Sequence, residues 1–171
     1  MDRLYIVRHG QTVANVQQRY AGQSETPLTE QGMQDAKAAG QAAQALGLDV
    51  IISSPLSRAH DTAKIIAAEI DYPEEKIILS DLLKERFYGH FQGLSWELSL
   101  DDSPDVETIE AVMERARQIV ARVKSMDAEA VLLVSHGTFA KVIRHVVNPG
   151  FNPNYNDADT ELKNGEILQL I

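Results

Sequence analysis

The chain has no cysteine among its 171 residues. Disulfides, zinc–thiolate centres and a cysteine nucleophile are therefore excluded, and a cytoplasmic location is expected. Positive charge is scarce. Sixteen Lys and Arg stand against 25 Asp and Glu, a formal net charge of -9, so nucleic acid and membrane surfaces are poor partners. No positive segment leads into a long apolar one at the N-terminus, so no signal peptide is expected, and no apolar run is long enough to cross a bilayer. Neither G-x-x-x-x-G-K nor G-x-G-x-x-G occurs, which removes nucleotide cradles of those two kinds. The five histidines show no metal-ligand spacing, so no metal is expected.

What is present suits one globular domain over residues 1–171, with 44% apolar residues and no repeat, linker or low-complexity tract. Residues 3–8, 50–52, 77–79 and 130–135 read as short buried strands. Between them lie helical stretches. One runs from Thr29, a capping residue, to Leu46 and stops at Gly47. Others are expected to start at Ser54-Pro55 and at Ser103-Pro104, with proline in the first turn; the Ser54-Pro55 helix should run to about Ile70. The third of these places Val106, Ile109, Val112, Ala116, Ile119, Val120 and Val123 on one face. A last helix of about ten residues follows Gly137, and Asn164-Gly165 reads as a hairpin turn. Residues 9–28 and 81–103 are long connections, a length that is often functional. Alternating strands and helices imply an α/β fold, a three-layer α/β/α sandwich on a mostly parallel sheet.

Ligands of such sheets bind outside the carboxyl ends of the strands. Two apolar runs end there in a histidine and a glycine: "LYIVRHG", with Arg8 and His9, and "VLLVSHG", with His136. Arg58 falls in the first turn of the helix after the second strand, where free N–H groups and the helix dipole attract phosphate. Two guanidiniums and two imidazoles around one point describe an anion site, most naturally a phosphoryl site. A neutral histidine nitrogen there is able to attack phosphorus and carry the phosphoryl group. The cations would stabilise the transferring group, each preorganised donor contributing about 3–4 kcal/mol. Glu85, on the connection after the third strand, is the candidate general acid. Taken singly, each residue has a plainer reading: a packed histidine, Arg58 paired with Asp61, a solvated Glu85.

The ordered motifs resemble the histidine phosphatase superfamily, also called phosphoglycerate mutase-like, from about Leu4 to Thr138. They are Arg8-His9-Gly10-Gln11-Thr12 with Asn15, "AGQSETPLTEQG", "SSPLSRAHDTA", "KERFYGHFQG" and "VSHGT". The resemblance implies that His9 is the phosphohistidine nucleophile, Glu85 the proton donor, and Arg8, Arg58 and His136 the phosphate pocket. It further implies that Asn15 helps hold the phosphoryl group, that Gly22, Tyr88 and Gly137 line the substrate pocket, and that no metal or cofactor is needed.

The superfamily holds both mutases and hydrolases. The mutases resembled by "KERFYGHFQG" carry a lysine where this chain has Trp96, and further arginines in a longer insertion. Residues 97–114 here contain no Lys or Arg, but Glu97, Asp101, Asp102, Asp105, Glu107, Glu110 and Glu114. A substrate carboxylate would meet no clamp, so a phosphomonoester hydrolase acting on a small phosphorylated metabolite is expected ahead of a cofactor-dependent phosphoglycerate mutase. A catalytically weak phospho-ligand-binding module is the third reading. Trp96, Phe87 and Phe91 are candidates for an apolar leaving-group subsite, or for core packing. His90 reaches toward the site on this reading or stays outside it, and the sequence leaves a homo-oligomer open.

Overall fold

A computed structural model describes residues 1–101, 103–155 and 160–171. Five strands form one sheet: β1 (Arg3–Arg8), β2 (Val50–Ser53), β3 (Ile78–Leu79), β4 (Ala130–Ser135) and β5 (Ile167–Gln169). Their spatial order is β3-β2-β4-β1-β5, parallel except for β5, which pairs antiparallel with β1. Five helices accompany them: α1 (Val13–Val16), α2 (Glu30–Ala43), α3 (Ser57–Glu69), α4 (Ile109–Lys124) and α5 (Gly137–Val147).

The strands read as continuous apolar runs because helices cover both faces of the sheet. Along β1 the side chains alternate between two cores. Leu4 and Ile6 pack with Val112, Ile119, Phe139 and Ile143 of α4 and α5. Tyr5 and Val7 pack with Ala39, Ala63 and Ile66 of α2 and α3. Strand β4 is central and buried along its whole length. Helices α2 and α3 meet through small residues; a Cβ on Gly40 would lie 2.6 Å from Glu69 Cβ. Among the described residues no helix is long and apolar enough to cross a membrane.

Several expectations differ: α2 ends at Ala43 rather than at Leu46, and two helix starts and the hairpin also depart from the sequence reading. Helix α3 begins at Ser57 rather than at Pro55, because the Ser54 hydroxyl accepts the Leu56 N–H and holds the chain in a turn before the helix. Helix α4 begins at Ile109 rather than at Ser103-Pro104. Thr108 caps it by accepting the Ala111 N–H, so Val106 leaves the helical stripe and packs with Tyr88 and Phe91 instead. The Asn164-Gly165 turn is present, with Gly165 at φ +74°, but it makes no hairpin: β5 pairs with β1, not with the segment before the turn. The connection after β1 also contains α1, closed by a reciprocal pair of hydrogen bonds between Thr12 and Asn15.

Candidate active site

Register brings the two histidines together. Strands β1 and β4 pair with Arg8 opposite Ser135, and the His9 N–H extends the ladder to the Ser135 carbonyl at 3.0 Å. The next residue on each strand is then a histidine. The rings of His9 and His136 sit edge to face with centroids 5.2 Å apart. His9 Nδ1 lies 2.7 Å from the Gly10 carbonyl, which only accepts, so Nδ1 carries the proton. His9 Nε2 accepts from Arg58 Nε at 3.3 Å. His136 Nε2 lies 2.8 Å from Ser54 Oγ, brought alongside by the β2–β4 pairing. Its Nδ1 is buried and has no partner. Burial, and secondarily the Arg58 charge, hold both imidazoles well below the usual histidine range, so both are neutral near pH 7.

The guanidiniums are committed in different ways. Arg58 is 1% exposed, and besides His9 it donates to the carbonyls of Gly22 at 2.5 Å and Ser24 at 2.9 Å. Those carbonyls belong to the connection after β1, and Gly22 presents its own at φ +54°. Arg8 spends Nη1 on Glu161 Oε2, at 2.9 Å, and on the Leu162 carbonyl, at 2.8 Å. Its Nε is buried without a partner.

Glu85 is 7% exposed. It faces the N-terminus of α5, where its carboxylate accepts the Thr138 and Phe139 N–H groups at 3.0 Å, and the Arg86 N–H at 2.8 Å. These bonds and Arg58 favour the anion, yet burial outweighs them and pushes the carboxyl above its ordinary range, with Glu161 adding to the rise. Tyr88 bonds Thr138 Oγ1 at 2.7 Å, and burial pushes its phenol well up. A pocket of about 570 Å³ opens on this cluster. That volume lies in the range of small-molecule sites and leaves room beyond a phosphoryl group.

Arg8, His9, Asn15, Gly22, Arg58, Glu85, Tyr88 and Gly137 line that pocket. His136 stands behind them, fully buried against His9. Arg58 does not pair with Asp61, which faces Lys64 instead. Of the aromatic candidates, Trp96 lines the pocket with Tyr20 and Leu100. Phe91 packs into a small core with Tyr88 and Val106, and Phe87 is exposed away from it. His90 turns to Asp105, 3.1 Å away, and the acidic stretch serves its own partners: Glu107 grips Arg115, and Glu110 and Glu114 pair with Arg117. Asp102 lies outside the described residues. Sequence reasoning missed Glu161, Asn164 and Ser54. Asn164 donates to the His9 carbonyl at 2.9 Å. Its only signal was a turn propensity, which says nothing of what the turn touches.

The arrangement is an anion pocket with a neutral ring nitrogen and a buried carboxyl group on its wall. The model of the histidine phosphatase superfamily (branch 1) matches residues 4–167. A 2,3-bisphosphoglycerate-dependent phosphoglycerate mutase of Parvibaculum lavamentivorans is 36% identical over 157 residues, covering 78% of this chain and 74% of that one. The uncharacterized phosphatase PhoE of Bacillus subtilis is 34% identical, covering 80% and 72%. Among solved structures, a mycobacterial glucosyl-3-phosphoglycerate phosphatase in complex with VO3 superposes with a TM-score of 0.85 at 27% identity, covering 99% of this chain and 92% of that one. Fold, motif order and these relatives agree: the chain belongs to the histidine phosphatase superfamily, branch 1, whose members include phosphatases and mutases.

Proposed function

We propose that the protein is a phosphomonoester hydrolase acting through a phosphohistidine on His9. The observation that carries this reading is a pair of buried nitrogens without partners among the described residues, Arg8 Nε and His136 Nδ1, on the two residues that flank His9. A buried donor left unpaired is costly, and native sites rarely retain one without a use. A phosphoryl group whose oxygens meet these two donors would be presented to His9 Nε2.

The chemistry follows in two steps. His9 Nε2 attacks phosphorus, the N–P bond forms and the P–O bond to the leaving group breaks. Nδ1 keeps its proton on the Gly10 carbonyl, which fixes the ring with Nε2 forward. Glu85, protonated, gives its proton to the departing alkoxide. In the second step Glu85 takes a proton from water, the hydroxide oxygen attacks phosphorus, and phosphate leaves His9. Arg8, Arg58 and the His136 ring offset the charge on the transferring oxygens. Asn15 supports this from the loop, and Trp96, Tyr20 and Leu100 offer an apolar wall to the leaving group. A solved relative at 27% identity is a phosphatase in complex with VO3, itself an oxyanion, which is in keeping with an anion-binding pocket in this fold.

A mutase is the second reading, favoured by the named relative at 36% identity. Against it, residues 97–114 contain no Lys or Arg, and of those described only Leu100 lines the pocket. Phosphate release from p-nitrophenyl phosphate, lost in His9→Ala, is the expected result. With 3-phosphoglycerate, with and without 2,3-bisphosphoglycerate, the expected product is phosphate. Isomerisation without release would favour the mutase, and no reaction with either substrate the binding module.

A further inference from the structure

We propose that Glu161 is a specificity-determining residue: seated on Arg8, its carboxylate makes the pocket accept one phosphoryl group and reject a second anionic group beside it. The inference rests on the phosphohydrolase reading above and names the substrate class of that site, monoanchored phosphomonoesters rather than bisphosphates or phospho-carboxylates.

Glu161 reaches the pocket from the segment between α5 and β5, 153 residues from Arg8. One carboxylate oxygen is 2.9 Å from Arg8 Nη1. The other is 3.7 Å from Nζ of Lys141, a lysine of α5 that is 1% exposed and also donates to the Asn154 carbonyl. The ion pair lies directly on Gly137. A Cβ there would come within 3.0 Å of Glu161 Oε2 and 3.2 Å of Arg8 Cζ. Glycine therefore lets the pair sit against the pocket wall rather than behind it.

The charge count then decides what the pocket admits. Among the described residues its walls carry three cations, Arg8, Arg19 and Arg58, the Glu161 carboxylate, and the Glu85 carboxyl group that acts as the acid. Arg58 and the unpartnered Nε edge of Arg8 face a single phosphoryl group. Arg19 is exposed at the rim, with Nη1 on the Gly93 carbonyl. On the Arg8 side of the pocket, a second anion would need Arg8 Nη1, and Glu161 already holds it. It would meet a carboxylate at short range, where like charges repel strongly. The same carboxylate lies 3.7 Å from the buried Lys141 ammonium. Glu161 also disfavours ionisation of Glu85, after the larger effect of burial.

The test measures binding rather than turnover. Inorganic phosphate and pyrophosphate are titrated calorimetrically into His9→Ala protein with and without Glu161→Gln. The expected result is that Glu161→Gln tightens pyrophosphate about tenfold more than phosphate, while Glu161→Asp keeps the parent ratio. Equal tightening of both ligands, or weakening of both, would overturn the proposal and leave Glu161 a support for Arg8. Should Glu161→Gln unfold the protein, Glu161→Gln with Lys141→Met removes both members of that ion pair, and the ratio must still move toward pyrophosphate. Failure of the hydrolase reading shows separately, as no phosphate release by the parent enzyme.

Discussion

Burial acts with opposite sign on the two titratable groups that the proposed chemistry needs. It disfavours the imidazolium of His9 and, for the same reason, the carboxylate of Glu85, each being the charged form. Both shifts favour a neutral nucleophile and a protonated acid at the same pH. The sign for the rate follows: turnover of an alkyl phosphate holds while Glu85 stays protonated and falls as pH rises through its raised pKa. Glu85→Gln, measured by steady-state kinetics, should slow an alkyl phosphate by about 10²–10⁴-fold and abolish that alkaline limb. It should change p-nitrophenyl phosphate far less, since p-nitrophenolate leaves without a proton. Equal slowing of both would remove Glu85 from the acid's role. Local contacts set the rings too. The Gly10 carbonyl fixes the His9 tautomer, and the Ser54 hydroxyl holds the His136 ring in place.

At the scale of elements, the site depends on how closely the connection after β1 approaches α2. The Gly10 position would place a Cβ 2.0 Å from the Gly32 carbonyl oxygen, and Gly32 would place one 1.9 Å from the Gln11 carbonyl oxygen. Two glycines thus lock the loop carrying His9 onto the first turn of α2. Gly32→Ala sets two effects against each other. Helix propensity favours alanine by about 1 kcal/mol. The clash is with backbone, which cannot swing aside, and overpacking of that kind costs about 3 kcal/mol or more. The net loss, about 2 kcal/mol, should lower the melting temperature by about 4–8 °C. A rise in thermal stability would show that the approach is looser than described. What was legible in the sequence follows the same division. The strands were readable because both faces are buried, and the convergence of His9 and His136 followed from strand ends. The helix starts were misplaced because Ser54 and Thr108 decide them through specific hydrogen bonds that proline statistics do not contain. Glu161 and Asn164 were not legible at all. They act through contacts some 150 residues away in sequence, carried by an irregular segment with no periodicity to read.

At the scale of the whole molecule, a net charge of -9 surrounds a pocket built to hold an anion. That general field repels anions, and the arginines lining the pocket offset it locally. The distribution of the remaining charge supports hydrolysis over mutase chemistry. Asp105, Glu107, Glu110 and Glu114 are tied to His90, Arg115 and Arg117, and none of these four lines the pocket. The central claim is that all these parts serve one covalent intermediate on one nitrogen. Rapid quench with a ³²P-labelled monoester, followed by peptide mapping and ³¹P–¹⁵N NMR, tests it. The account predicts an acid-labile, base-stable label on His9, bonded to Nε2. Phosphate release without such a label, or a label on Nδ1 or on another residue, would contradict it.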